Sequence, residues 1–235
     1  MAETYRKLSI LIPVFNERGT IEELVRRVRA ANTSGLEKEI IVVDDASTDG
    51  TSEILKKIAQ DSAVKVVAHS QNRGKGAALR KALEHATGDI VLIQDADLEY
   101  DPADYPKLLQ PILDGRADVV YGSRFLGGPH RVLLFWHYVA NKSLTLLANI
   151  VCNLNLTDME TGYKVFKRKC VEGMRLSSDR FGIEPELTAK LARHRCRFYE
   201  MPISYSGRDY SEGKKIGWKD GLVAPWFIFR YRFFD

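Results

Sequence analysis

The feature that most constrains this chain is an alternation, repeated through its first half, of short apolar runs with amphipathic helical stretches. Residues 8–12 read as a strand closed by Pro13. Residues 20–31 follow as a helix with Ile21, Leu24, Val25 and Val28 on one stripe, and with Thr20 and Glu23 spaced as a capping box. The same pattern predicts strands at 39–43, 64–68, 89–94 and 117–121, and helices at 51–60, 75–86 and 102–113. Nearly continuous apolar strands joined by such helices imply a mostly parallel sheet flanked by helices, because strands buried on both faces lose the alternation of a half-exposed sheet. Ligands of such sheets bind beyond the carboxyl ends of the strands. The polar loops of this chain fall at those ends.

The second half is less regular. It reads as a helix at 135–153, a strand at 164–166, a helix at 183–194 and a strand at 198–205. A Gly-rich charged stretch at 207–219 and an aromatic segment with interleaved Arg at 222–234 complete it. No Pro- or Ser-rich linker separates the halves, so the 235 residues are expected to form one domain with two functional lobes, 1–125 and 126–235. The first lobe holds 17 Lys+Arg against 20 Asp+Glu, the second 18 against 11. An acidic lobe suits a divalent metal, and a basic one suits phosphate or an anionic membrane surface. No apolar run approaches the roughly 20 residues that cross a bilayer. Residues 144–156, interrupted by Asn149, Asn153 and Asn155, read as a buried helix. The N-terminus lacks a signal-like apolar stretch, so export is not expected. Cys152, Cys170 and Cys196 match no metal spacing and read as free thiols, and the five histidines form no HxxxH pair.

Asp95-Ala96-Asp97 leaves the apolar run 90–93, and residues i and i+2 at a strand exit can project to the same side. Two carboxylates there suit Mg2+ or Mn2+, which favours hard oxygen ligands and keeps places for phosphate oxygens. Glu99 is a candidate third ligand. Asp44 and Asp45 directly follow the apolar run 40–43, where a carboxylate can accept from a base N–H or a ribose hydroxyl. Asp49, Ser47 and Gly50 carry cap and turn chemistry at the next helix. In the loop 13–17, Phe15 can stack on a base and Glu17 can bond the nucleotide. The stretch 72–78 places Lys75 at a Gly-rich helix start able to approach an anion. It is not a Walker A loop, since His69 stands where Gly is needed and Ala77 where Ser or Thr is needed. Nor does the first strand open into GxGxxG.

Taken together, residues 13–17, 44–50, 72–76, 95–97 and Gly122-Ser123-Arg124-Phe125 resemble family 2 glycosyltransferases of GT-A fold, specifically the dolichol/polyprenyl-phosphate mannosyltransferase-like branch. The resemblance implies an inverting, metal-dependent transfer of a hexose (mannose or glucose) from a nucleotide sugar to a polyprenyl phosphate. It implies that Pro13, Phe15, Glu17 and Asp45 hold the nucleoside, with Lys75, Asp95, Ala96 and Asp97 completing the donor site. Asp95 and Asp97, with Glu99, would hold Mg2+ or Mn2+, and Asp97 and Arg124 would be catalytic. Arg124, Asp158, Glu184, Glu186, Arg208 and Lys214 would serve the acceptor and its phosphate. GDP-mannose and UDP-glucose both suit the readable donor contacts. Residues 226–234 and 135–138 carry aromatics that suit a membrane surface. The expected setting is peripheral, on the cytoplasmic membrane face, with a membrane-protein partner as an option and no nucleic acid. Two alternatives are a family 2 enzyme with a hydroxyl acceptor, needing Asp158, Glu184 or Glu186 as general base, and a non-catalytic nucleotide-sugar-binding scaffold.

Overall fold

The computed structural model describes residues 4–127, 131, 134–180, 182–208 and 218–234, with the side chains of the last segment described from Val223 on. The expected alternation is realised as β1 (Lys7–Val14), α1 (Ile21–Ala30), β2 (Glu37–Asp44), α2 (Thr51–Ile58), β3 (Val64–Ala68), α3 (Lys75–His85), β4 (Ile90–Ile93), α4 (Tyr105–Leu113) and β5 (Val119–Ser123). There follow α5 (Phe135–Cys152), β6 (Lys164–Lys167), α6 (Ile183–Arg193), β7 (Phe198–Pro202) and α7 (Trp218–Phe233). The strands form one seven-stranded sheet in the order β3-β2-β1-β4-β6-β5-β7. Apolar layers cover both faces, one built on Ile10, Ile12, Val42 and Leu92, the other on Leu11, Ile41, Val43 and Val91. Adjacent residues of one strand thus enter opposite cores, which is why the strands read as continuous apolar runs.

Only β6 runs antiparallel, pairing with β4 and β5. This reversal positions the site. All other strands end on the same edge of the sheet, whereas β6 begins there, with Lys164 opposite both Ile93 and Tyr121. The segment 158–163 is thereby brought beside the exits of β4 and β5. The exit of β7 delivers residues 203–208 to the same edge, tied there by the isolated bridge between Tyr205 and Tyr100.

Three local expectations are corrected. No capping box forms at α1: Thr20 Oγ1 donates to Glu17 Oε2 at 2.7 Å, and Glu23 is taken by Arg26 and Arg27. The strand expected over 198–205 ends at Pro202, beyond which only the bridge at Tyr205 persists. The stretch 144–156 is helical to Cys152 but not buried throughout, since Leu146 and Ile150 are 61% and 70% exposed while Thr145, Ala148 and Cys152 face inward. Among the described residues, no helix is long and apolar enough to cross a membrane.

Candidate active site

Three loops at the carboxyl edge each hold a non-glycine residue in the left-handed region: Asn16 (φ 51°), Ala46 (φ 61°) and Leu98 (φ 61°). Such a conformation is costly for a side chain like Leu and persists only where surroundings over-determine it. The Asn16 and Ala46 loops cross-brace one another. Ser47 Oγ accepts from the Asn16 amide at 2.9 Å, and Asn16 Oδ1 accepts from the Thr48 amide at 2.8 Å. Thr51 Oγ1 accepts from the Glu17 amide at 2.9 Å. Asp49 takes the expected turn role, accepting from the Thr51 amide at 3.0 Å, and Gly50 supplies the positive φ of 97°.

Asp44 and Asp45 are both buried. Asp44 accepts from the Ser47 amide and the Ser52 hydroxyl, so it is a loop brace. Asp45 accepts from the Arg73 amide at 2.9 Å and the Gly74 amide at 2.6 Å, and lies 2.7 Å from His69 Nδ1. Its carboxylate therefore joins the β2 exit to the loop before α3. Phe15 and Pro13 stand half-buried at the mouth of the β1 exit.

The Gly-rich start of α3 serves packing. A Cβ on Gly74 would meet Asp179 O at 2.4 Å, and one on Gly76 would meet Ser178 O at 2.1 Å. The Ala77 amide donates to Asp179 O at 3.1 Å. The segment 178–180 thus covers this helix end, and the expected approach of an anion to its amides is not what the glycines permit. Lys75 turns inward instead, with Nζ 2.7 Å from Asp95 Oδ1 and 2.9 Å from Glu184 Oε1. Burial opposes its charge, but the Asp95 and Glu184 carboxylates hold its pKa well above the ordinary lysine value.

The β4 exit is held by Gln94, which belongs to no motif. Gln94 Oε1 accepts from Tyr105 Oη at 2.8 Å and Tyr163 Oη at 2.7 Å, and its Nε2 donates to Asp95 O. Ala96 packs into the core between Asp95 and Asp97. Gly162 lies against Asp95, where a Cβ would fall 2.1 Å from Oδ2. Asp101 and Asp104 prove to be turn and loop caps, accepting from the Ala103 and Ser204 amides.

Arg208 stands at the centre of the cleft. Its Nη2 reaches Asp97 Oδ2 at 3.0 Å and Glu17 Oε1 at 3.2 Å, and its amide donates to Glu99 Oε1 at 2.9 Å. Burial first, then the charges of Asp95 and Glu99, push Asp97 up to about 7 against the pull of Arg208. Among the described residues, no three Asp, Glu, His or Cys side chains converge so as to enclose an ion. Glu99, expected as a third metal ligand, accepts from Tyr205 Oη at 2.6 Å through Oε2 and from Arg208 through Oε1. The hard oxygens of Asp95 and Asp97 still fit Mg2+ or Mn2+, and the guanidinium against Asp97 is a stand-in cation at that point.

Of the residues expected to serve the acceptor, Arg124 and Asp158 form one buried pair, with Nε and Nη2 of the arginine each 2.7 Å from the carboxylate. Arg124 also lies beneath the Tyr205 ring, 5.2 Å from its centroid. Asp158 and Glu186 are fully buried, which corrects the expectation that their side chains meet the acceptor. Glu186 accepts from the Ser177 and Ser178 amides, each at 2.7 Å, and pairs with Lys190 at 2.8 Å, so it anchors the segment that covers α3. Glu184 contacts the first residue of α3 through Lys75. Lys214 lies outside the described residues.

The sequence profile of Glycosyl transferase family 2 matches residues 9–174. A dolichol-phosphate mannosyltransferase of Pyrococcus furiosus is 31% identical over 214 residues, 90% of this chain and 60% of its own length. An undecaprenyl-phosphate 4-deoxy-4-formamido-L-arabinose transferase of Salmonella dublin is 30% identical over 216 residues, 91% of this chain and 64% of its own length. The chain therefore spans about three fifths of these curated relatives. The crystal structure of glucosyl-3-phosphoglycerate synthase from Mycobacterium tuberculosis with Mn2+, uridine diphosphate and phosphoglyceric acid superposes with a TM-score of 0.68 at 25% identity, covering 88% of this chain and 73% of that one.

Proposed function

Because the chain belongs to glycosyl transferase family 2 and has its GT-A fold, we propose that it transfers a hexose from a nucleotide sugar to a polyprenyl phosphate. The observation that carries this reading is the convergence of Glu17, Asp97 and Glu99 on the Arg208 guanidinium beside Asp95. Arg208 is the cation of this cluster, and a divalent ion arriving with a diphosphate would replace it at Asp97. Asp95 and Asp97 would hold Mg2+ or Mn2+, whose Lewis acidity offsets charge on the departing nucleotide. Phe15, Pro13 and Asp45 would hold the nucleoside of a donor such as GDP-mannose or UDP-glucose. The names of relatives that act on dolichol and undecaprenyl phosphates support the acceptor class.

Donor entry requires Arg208 to leave Asp97, which frees a guanidinium for the acceptor phosphate. A phosphate monoester is largely ionised near neutral pH, with a second pKa of about 6, so its attack on the anomeric carbon needs positioning rather than proton removal. A hydroxyl acceptor would need a general base. The candidates for that role are engaged elsewhere: Asp158 with Arg124, Glu186 with Lys190 and two amides, and Glu184 with Lys75. The phosphate acceptor is therefore preferred, with inversion by a single displacement. Exposed aromatics on α5 and α7 suit a peripheral seat on the cytoplasmic membrane face, where a membrane-protein partner could share the lipid acceptor.

A thermal-shift panel of UDP- and GDP-sugars with Mn2+ tests the donor reading. A donor at about 100 times its Kd adds roughly 2.7 kcal/mol, a rise of about 5–10 °C for a chain of this size. If no nucleotide sugar stabilises the protein with Mn2+ present, the reading fails. Transfer of the stabilising sugar to a short-chain polyprenyl phosphate, followed by mass spectrometry, separates an enzyme from a binding scaffold.

A further inference from the structure

Glu184 is the one acidic residue of the expected acceptor set that touches the donor side. It occupies the first turn of α6, in the second lobe, yet its Oε1 is 2.9 Å from the ammonium of Lys75, the first residue of α3. That same ammonium is 2.7 Å from Asp95 Oδ1. The three side chains are at most 19% exposed. The other oxygen of Glu184 is buried without a hydrogen-bond partner, as is Oε1 of the neighbouring Glu160. A buried carboxylate left half-satisfied is costly, and such arrangements concentrate where charge is needed for function.

The charge count gives the arrangement its sense. The two buried ammoniums Lys75 and Lys164 stand among three carboxylates, Asp95, Glu184 and Glu160, so the carboxylates are not fully neutralised. Without Glu184, Lys75 would pair with Asp95 alone and present its whole charge to any cation approaching the β4 exit. With Glu184 sharing the ammonium, Asp95 keeps negative charge directed at the cleft and its oxygen stays in a defined place. Gly162, which a Cβ would drive onto Asp95 Oδ2, closes the opposite side.

We propose that Glu184 is a positioning residue of the donor site, acting through Lys75 to orient Asp95 and to preserve its charge for a divalent cation. The proposal rests on the reading of Asp95 as a metal-site residue. It assigns to α6 a role in donor binding through a buried ion bridge between the two lobes.

The test is the Mn2+ affinity of the full chain, read from free Mn2+ by electron paramagnetic resonance, with folding followed by circular dichroism. Glu184→Gln keeps the shape and removes the charge. It is expected to weaken Mn2+ binding about tenfold, while Glu184→Asp, which keeps a carboxylate, recovers most of the loss. Glu186→Gln, on the same helix turn but facing the Ser177–Ser178 amides, is expected to lower the melting temperature and leave Mn2+ affinity within twofold of wild type. In a Lys75→Gln background, the Glu184→Gln change is expected to lose its effect, because its route to Asp95 is gone. Wild-type affinity in Glu184→Gln, against measurable wild-type binding, overturns the proposal alone. A wild-type protein that binds no Mn2+ overturns it together with the metal reading.

Discussion

At the residue scale, the site is controlled by groups that never face a ligand. Gly162 is an example: its amide donates to Tyr100 Oη at 2.8 Å, and its missing Cβ is the space into which the Asp95 carboxylate fits. Gly162→Ala is therefore expected to displace Asp95, cost about 1–3 kcal/mol through overpacking and weaken Mn2+ binding at least tenfold. Calorimetric titration with Mn2+ checks this, and unchanged affinity would show that Asp95 has another place to go. The pair Asp95 and Asp97 was legible from the sequence because spacing and strand context suffice to recognise it. The setting of the pair was not. Gln94 carries no motif, and its bond from Tyr163 joins residues 69 apart in the chain. Lys164 is another buried group without a motif: burial lowers its pKa to about 8 although Glu184 and Glu160 favour its charge, and Nζ is held by the Met159 and Thr161 carbonyls.

At the element scale, the parallel strands are tied together at their amino ends by a half-buried acid. Glu39 on β2 accepts from Ser9 on β1 and from the Thr87 amide and hydroxyl before β4, and pairs with Lys7 at 3.1 Å. Burial pushes its pKa up, but the hydrogen bonds from Ser9 and Thr87 outweigh this and hold it at about 2. A carboxylate depressed in the folded state stabilises above its unfolded pKa, near 4.5, and that contribution is lost as pH falls toward 2. Glu39→Gln should therefore lower stability by roughly 1 kcal/mol at neutral pH, allowing for solvent screening, and flatten the acid side of the stability curve. Urea unfolding between pH 2 and 7 measures both. An unchanged acid limb would assign the pH dependence to other carboxylates. Helices α1 to α4 were readable from apolar stripes, since each packs one face on the sheet. Helix α5 was misread as buried because its apolar residues surround it, and a sequence does not say which flank the neighbouring helices cover.

At the scale of the whole molecule, α7 settles on α5 and α6 and leaves an aromatic face outward. Ala224, Ile228 and Tyr231 are buried, and the Tyr231 hydroxyl lies 2.9 Å from both Ser177 and Ser178 Oγ. Val223, Trp226, Phe229 and Phe233 are exposed, next to Arg230. This segment is thus both core and surface, on opposite sides of one helix. Replacing Trp226, Phe229 and Phe233 with Ser should reduce co-sedimentation with anionic vesicles more than tenfold and leave the circular dichroism spectrum unchanged, since inserting each aromatic contributes about 1.5–3 kcal/mol. Equal sedimentation of variant and parent would remove α7 from the membrane contact. By itself the sequence determined the parallel sheet, the loops at its carboxyl edge and the Asp95-Ala96-Asp97 pair, because hydrophobic periodicity and strand-exit spacing are local properties. Only the tertiary structure decided what surrounds that pair. The reversed strand β6 brings Gly162 against Asp95, α6 brings Glu184 to Lys75, and the exit of β7 sets Arg208 among the carboxylates. These partners are separated by tens to more than a hundred residues, and only the packing of both lobes on one sheet makes them neighbours.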